Sequence, residues 1–401
     1  MHTITIVGGS VAGVRSAEAL RAAGYDGRLV LLGDDAHRPY DRPPLSKAFL
    51  DGSADLDAIG LLDDEDEAEL DLDLRLGVSA ARLDPAGGRV VLADGTDVAT
   101  DGVVVATGGS ARRLPGSAGV EGVHTLRTLD DALALRRALR DGAPRVAIVG
   151  GGFIGAEVAS TCRAMGLEVT VLDGLPLPLA PVLGPRIARS CVDLHAEHGT
   201  DLRPSTAVAG LATVPAGDAR RVVGVELGDG TTVKADVVVV GIGITPNTGW
   251  LDGSGLRVDN GVCTDAGMVT DLPNVVAVGD VARWGGTGGP GRGHRHEHWT
   301  SAGEQAAVAA ANLLAGRTGR PGAVFRPSGY VWSEQYGRML QLAGHPSPDD
   351  RVEVVDGEPA DGRFVARWVD AEGVTTGVFG MGDPRRFGRV RRTELRRPTA
   401  A

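Results

Sequence analysis

Cysteine is scarce in this sequence. The 401 residues include three, Cys162, Cys191 and Cys263, too few and too scattered for a disulfide scaffold or a zinc site. Lysine is scarcer still: of 41 basic residues, only Lys47 and Lys234 are lysines. Aromatics are few as well, with Phe 6, Trp 5 and Tyr 4. No apolar run reaches the roughly 18 residues that mark a membrane helix. The N-terminal stretch MHTITIVGG lacks the basic segment and long apolar run of a secretory signal. Positive charge is in deficit, 41 Lys plus Arg against 52 acids for a net charge of −11, which argues against nonspecific nucleic-acid binding. These absences together lead us to expect a soluble, cytoplasmic protein with neither membrane nor nucleic acid as partner.

Glycine, by contrast, is abundant at 60 residues, without the G-X-Y period of collagen. The composition, 42% apolar and 23% charged, is that of an ordinary globular chain, and the length allows two or three domains. An internal duplication organises the rest. Residues 4–13 (ITIVGGSVAG) recur as 146–155 (VAIVGGGFIG), offset by 142. Each copy reads as strand, glycine turn and Ala-rich helix, followed by a second strand at 28–34 (RLVLLGD) or 168–173 (EVTVLD). A further echo joins VVVATGG (103–109) to VVVVGIG (237–243). PNVVAVGDVA (273–282) predicts another strand, then come a Gly-rich loop at 285–293 and an Ala-rich helix over about 301–315. Beyond Pro321, short alternating segments (MLQLAG, VEVVD, FVARWV, TTGVFG) predict a smaller α+β domain. The fold class expected is α/β, with two Rossmann-like dinucleotide-binding domains and this small C-terminal one. Residues 63–73 carry eight acids in eleven, read as a solvated face.

The second loop, Gly150-x-Gly152-x-x-Gly155, is a complete dinucleotide fingerprint. Its first glycine permits the turn, the second lets a pyrophosphate touch backbone, and the third lets helix pack on strand. Ile154 lies inside the same loop. Asp173 closes the next strand, where a carboxylate accepts hydrogen bonds from the ribose hydroxyls of NADH and repels a 2′-phosphate; residues 174–180 offer no Arg to receive one. In the first loop Gly8 and Gly13 hold their places, but Ser10 replaces the middle glycine, and Asp34 is the candidate ribose ligand. Two different fingerprints in tandem point to a flavin and a nicotinamide.

On the motifs VGGSVAGVRSAEALR, PYDRPPLSK (39–47), VVVATGG, TLRTLDDA (125–132), VGGGFIGAEVA, GIGITPN, VVAVGDVARW, EHWTSAGEQA and WSEQYG (332–337), the chain resembles the FAD-dependent pyridine-nucleotide reductases. More narrowly, it resembles the oxygenase-coupled NADH-dependent ferredoxin reductases, over nearly its whole length. The resemblance implies three domains: a discontinuous FAD domain (1–112 and 245–320), an inserted NADH domain (113–244) and a C-terminal domain (321–401). It implies that Ala12 and Gly13 meet the FAD pyrophosphate and Asp34 the adenosine ribose. It further implies that Arg42, Lys47, Ala80 and Arg127 line the FAD site, that Asp280 holds the ribityl chain, and that Trp299 sits at the pyrimidine end of the flavin. Gly243, ending the VVVVGIG strand, joins the cofactor-binding set. The resemblance also pairs Glu157 with Lys47 beside the flavin, where an ammonium opposes the negative charge gained on reduction. The plainer reading of these two is a surface Lys and a helical Glu that do not touch. Trp332 is placed between flavin and partner, the alternative being a core Trp of the C-terminal domain.

Residues 34–60 contain no cysteine, so the redox Cys pair of a disulfide reductase and the single Cys of a flavin peroxidase are both missing; electrons must leave the flavin directly. The alternating His294, His296 and His298 resemble a metal site superficially, but no second cluster completes one. Seven arginines between 385 and 397 form a basic tail, either a solvated terminus or a dock for an acidic ferredoxin. The expected activity is therefore an NADH:ferredoxin oxidoreductase that feeds single electrons to a [2Fe-2S] ferredoxin of a monooxygenase or dioxygenase. Rubredoxin reductase shares the motifs, and a non-enzymatic NADH-sensing flavoprotein like apoptosis-inducing factor is the reading from another class.

Overall fold

The computed structural model describes residues 1–286, 293–316 and 322–395; positions 287–292 of the Gly-rich loop, and Arg396 and Arg397 of the basic tail, lie outside the described residues. The chain divides into two compact units. The first comprises the described residues of 1–42, 56–110 and 244–327, and the second those of 43–55, 111–243 and 328 onward.

The first unit is built on a parallel sheet in the order Val275–Ala277, Gly102–Val105, Thr3–Val7, Arg28–Leu32, Leu72–Arg75. The register sets Ile6 beside both Leu31 and Val104. The three strands at the middle of this sheet are almost wholly buried Val, Ile and Leu, as expected where helices cover both faces. The helices Val11–Ala22 and Trp299–Ala315 pack together through Ala12, Ala17, Ala302 and Ala309; alanine lets two helix axes approach closely. The second helix begins at Trp299, two residues before the sequence-based boundary.

The second unit repeats the arrangement. Its parallel sheet runs Val123–His124, Val237–Val240, Val146–Val149, Val169–Leu172, Asp201–Arg203, with Ile148 beside Val171 and Val239. The duplicated motifs thus occupy the same central positions in both sheets, and the VVVATGG and VVVVGIG strands each pair with the first strand of their own half. An antiparallel meander interrupts each half before that strand. It is Ala80–Asp84, Arg89–Leu92 and Asp97–Ala99 in the first, and Val208–Ala216, Ala219–Leu227 and Thr232–Lys234 in the second, where Lys234 is exposed.

The second unit also holds an antiparallel sheet in the order Val331–Gln335, Arg338–Gly344, Thr375–Met381, Arg363–Val369, Arg351–Glu358. The helix Pro384–Glu394 closes one face of it through Phe387, packed with Ala343, Val365 and Val378. The helix Ala180–Glu197 closes another part through Leu183, Ile187, Cys191 and Leu194 against Phe364, Trp368 and Phe379. Segment 43–55 joins this unit through its own side chains: Leu50 is fully buried among Leu135, Leu139 and Val158. The Arg136 guanidinium lies 5.6 Å over the Phe49 ring, and Arg140 donates to the Asp51 carbonyl at 2.8 Å.

Tyr336 ties the sheet to the long helix. Its hydroxyl lies 2.8 Å from His195 Nδ1 and 2.9 Å from Thr200 Oγ1, and its ring stacks on His198 at 4.6 Å. Burial pushes Tyr336 up to about 12 and His195 down to about 4 from its ordinary 6.5. Between pH 6.5 and 4 the unfolded chain binds a proton at His195 that the folded chain refuses. Stability therefore falls as pH drops through that window and levels off below it, by on the order of 3 kcal/mol. Thermal unfolding at pH 7 and pH 5 should show about 2 kcal/mol of this loss, and His195→Gln should reduce the difference. An unchanged difference in the variant would assign the acid sensitivity to other groups.

Candidate active site

Both glycine loops rest on the same backbone contacts. Gly8 and Gly150 have φ of +127° and +108°, a region that disfavours any side chain. A Cβ there would lie 2.2 Å from the Ala106 carbonyl oxygen, or 2.3 Å from that of Gly241. A Cβ on Gly13 would stand 1.9 Å from the Gly8 oxygen, and one on Gly155 2.0 Å from the Gly150 oxygen. The outer glycines are thus demanded by the chain itself. The middle position is not: its backbone is extended in both loops, at Ser10 and at Gly152, and a Cβ on Gly152 would meet nothing within 4 Å. Each loop opens a twelve-residue helix whose N-cap makes no side-chain capping bond. First-turn N–H groups therefore remain for an anion.

Around the first loop the structure gathers the residues that the sequence singles out. Gly279 packs so closely on Ala12 that a Cβ would lie 2.9 Å from the Ala12 Cβ. Its N–H donates to Gln305 Oε1 at 2.7 Å, which sets the neighbouring Asp280 beside the loop. Asp34 follows the strand Arg28–Leu32 and is exposed. Among the described residues nothing pairs with its carboxylate, whereas Asp35 is occupied by the Tyr40 hydroxyl at 2.8 Å and the His37 N–H at 3.0 Å. Val78 N–H donates to the Gly33 carbonyl at 2.8 Å, bringing the half-buried Ala80 strand to the same end of the sheet. Trp299 donates its indole N–H to Asp41 Oδ1 at 2.7 Å and lies under the Arg15 guanidinium at 5.9 Å; half-buried Arg42 follows Asp41. Open glycine backbone, a helix N-terminus and an available carboxylate together fit a dinucleotide such as FAD.

In the second unit, Asp173 Oδ2 accepts the Gly151 N–H at 2.6 Å and Oδ1 accepts the Leu175 N–H at 2.7 Å. The carboxylate therefore shapes the glycine loop, a task not visible from sequence, and keeps lone pairs for a ribose. Ile154 is 47% exposed on the helix's first turn, an apolar side chain in the open beside the loop. Gly243 has φ +93°, with nothing within 4 Å of a Cβ. Arg127 precedes the helix Leu129–Arg140, its N–H bound to Asp131 Oδ2 at 3.0 Å.

Lys47 and Glu157 meet. Lys47 Nζ is 2.6 Å from Glu157 Oε2, and the carboxylate is 3% exposed. Three further hydroxyls, missed by the sequence reading, complete the cluster. Ser46 Oγ donates to Glu157 Oε2 at 2.6 Å and Ser333 Oγ to Oε1 at 2.7 Å, while Thr161 Oγ1 donates to the Ser46 carbonyl at 2.7 Å. Burying a carboxylate is costly unless donors meet its oxygens, and the two serine hydroxyls and the ammonium meet both. The signal available in sequence is the alternation in WSEQYG, which turns Ser333 and Gln335 to one side of the strand and Trp332 and Glu334 to the other. Trp332 is half-buried and stacks on Tyr330 at 5.9 Å and 23°.

The three cysteines are free and buried, and burial alone pushes Cys162 up to about 12, so it is no thiolate relay. The three histidines do not converge on one point: His294 bridges to Trp284 through backbone, the His296 ring packs on Trp284 and Phe325, and His298 is the N-cap residue of the helix that begins at Trp299. Among the described residues no group of His, Cys, Asp or Glu is placed to hold a metal, and no helix is long and apolar enough to cross a membrane.

Comparison with known proteins agrees with this geometry. The pyridine nucleotide-disulphide oxidoreductase family matches residues 2–306, and the reductase C-terminal family matches residues 330–398. Rhodocoxin reductase of Rhodococcus erythropolis is 37% identical over 90% of this chain and 82% of its own. The ferredoxin–NAD(+) reductase component of the Burkholderia cepacia anthranilate 1,2-dioxygenase system is 37% identical over 96% and 92%. Among solved structures, the covalent putidaredoxin reductase–putidaredoxin complex superposes with a TM-score of 0.87 at 34% identity, over 98% of this chain and 92% of that one. With both sheets, both glycine cradles and the C-terminal sheet in place, the chain belongs to the pyridine nucleotide-disulphide oxidoreductases, within the ferredoxin reductases of oxygenase systems.

Proposed function

We propose that this chain is an NADH:ferredoxin oxidoreductase of the cytoplasm, delivering single electrons to a [2Fe-2S] ferredoxin that serves a monooxygenase or dioxygenase. The observation that carries the reading is the pair of matched glycine cradles in a chain with no cysteine between residues 34 and 60. FAD, when bound, supplies the chemistry, taking hydride from NADH and releasing electrons one at a time. The protein's part is to hold and bias. The N–H groups of the first loop receive a pyrophosphate, Asp34 an adenosine ribose and Asp280 the hydroxyls of a ribityl chain, with Arg42, Ala80, Arg127 and Trp299 lining the remainder. Gly150, Gly152, Ile154, Gly155 and Gly243 bind NADH, with Asp173 on its ribose. Lys47, held by Glu157, offers a positive charge to a cofactor that becomes negative on reduction. Arg385, Arg389 and Arg392 carry no ion pair among the described residues, unlike Arg386, which is 3.0 Å from Asp356; on a chain of net charge −11 they suit an acidic partner.

Purified protein should be yellow, with one noncovalent FAD per chain, and should reduce a [2Fe-2S] ferredoxin faster with NADH than with NADPH. Asp173→Ala should narrow that cofactor gap, since the carboxylate repelling a 2′-phosphate is gone. A colourless protein that stays inactive when FAD is added would overturn the reading.

A further inference from the structure

The donors around Glu157 have a direction. A serine hydroxyl owns one proton. Ser333 Oγ receives Gln335 Nε2 at 3.0 Å, so its own proton goes to Glu157 Oε1. Ser46 Oγ is 3.4 Å from the Pro43 carbonyl but 2.6 Å from Glu157 Oε2, and it also receives Lys47 Nζ at 3.3 Å. Its proton therefore goes to the carboxylate as well. Every group facing Glu157 is a donor, and the chain of donors behind Oε1 comes wholly from the strand Val331–Gln335. Ser333 and Gln335 are both fully buried there, and Gln335 Oε1 has no donor among the described residues. A buried oxygen left unsatisfied is a cost, accepted here while the amide nitrogen serves Ser333.

We propose that Ser333, supported by Gln335, is a positioning residue for the Lys47–Glu157 pair. Its hydroxyl holds Oε1 so that Oε2 stays turned to the Lys47 ammonium. The inference rests on the reading above in one respect: it takes Lys47 as the counter-charge of the reduced cofactor. Without the Ser333 hydroxyl, Oε1 is buried with no donor, and the carboxylate gains by rotating away from the geometry that fixes Lys47. The strand then has two faces with two tasks, Ser333 and Gln335 toward the charge pair and Trp332 on the other side.

The two-lysine composition makes the test direct. In FAD-loaded protein labelled with 15N-lysine, NMR of the side-chain ammonium groups should show Lys47 as a protected resonance and Lys234 as a rapidly exchanging one. Ser333→Ala should speed Lys47 proton exchange about tenfold, the effect of losing a hydrogen bond to a charged group, and Ser333→Thr should restore it. Ser333→Cys, similar in shape and a poor donor, gives the same result if the alanine variant fails to fold. The flavin midpoint potential of Ser333→Ala should move in the same direction as that of Lys47→Met, and the double variant should equal Lys47→Met alone. Unchanged Lys47 exchange in a folded Ser333→Ala protein, or full additivity of the two potential shifts, would overturn the inference. If Lys47→Met leaves the potential untouched, the role assigned to Lys47 fails instead, and the exchange rates still decide whether Ser333 holds the pair.

Discussion

Replacing Gly155 by alanine is expected to lower the NADH affinity of the FAD-loaded protein about 100-fold, from an overpacking cost of about 3 kcal/mol. FAD should stay bound. Gly13→Ala should do the reverse, releasing FAD and leaving a chain that still folds around its second loop. The reason is the same in both: the added methyl carbon would sit 2.0 Å from the Gly150 oxygen or 1.9 Å from the Gly8 oxygen, so the helix must lift from the loop that its first turn completes. Gly152→Ala is the internal control. It meets nothing within 4 Å, so the chain itself should not register it, and any weakening of NADH binding then measures the approach of the ligand alone. Flavin absorbance after gel filtration and titration with NADH separate these outcomes. Loss of both cofactors from either variant would mean general misfolding.

Trp332→Ala is expected to spare NADH-to-ferricyanide turnover, because a small oxidant needs no docking surface, and to slow ferredoxin-dependent cytochrome reduction at least about tenfold, as truncation of an interfacial Trp does. The role we propose for the indole is to cover apolar cofactor surface and offer a flat π-face on the exit route. Its surroundings favour this over a scaffold role: Trp368 of the same sheet is 3% exposed inside the core, while Trp332 is half-buried and stacked on Tyr330. Removing a core Trp would cost about 3–5 kcal/mol and depress every activity together. Stopped-flow flavin reduction beside the coupled assay decides between them. If both half-reactions fall in step with the melting temperature, Trp332 is scaffold.

What was legible in the sequence is what repeats or alternates locally. The duplicated strand–glycine–helix motif announces two parallel sheets, and the echo of VVVATGG in VVVVGIG falls on equivalent strands because both must be apolar on two faces. The pairing of Lys47 with Glu157 came through resemblance, and the two side chains stand 2.6 Å apart. Ser46 and Ser333 did not come through, for a physical reason. They lie 111 and 176 residues from Glu157, and although alternation sets Ser333 on the buried side of its strand, nothing local in the sequence names the carboxylate that either serine meets. Tyr336 was hidden likewise, its partner His195 being 141 residues away. Segment 43–55 shows the same limit: its attachment to the second unit is written in Leu50, Phe49 and Asp51 meeting one helix, not in any local periodicity.

The near-absence of lysine has a practical meaning for anyone attaching this protein to a surface or a probe. Lys47 keeps 19% of its side chain exposed and has its nitrogen closed onto a carboxylate, whereas Lys234 stands in the open at the end of a meander strand. Guanidinium groups, which make up the remaining basic side chains, do not react with acylating reagents, being always protonated. Amine-directed immobilisation therefore finds one open side-chain anchor, Lys234, with the charge pair out of the reagent's reach.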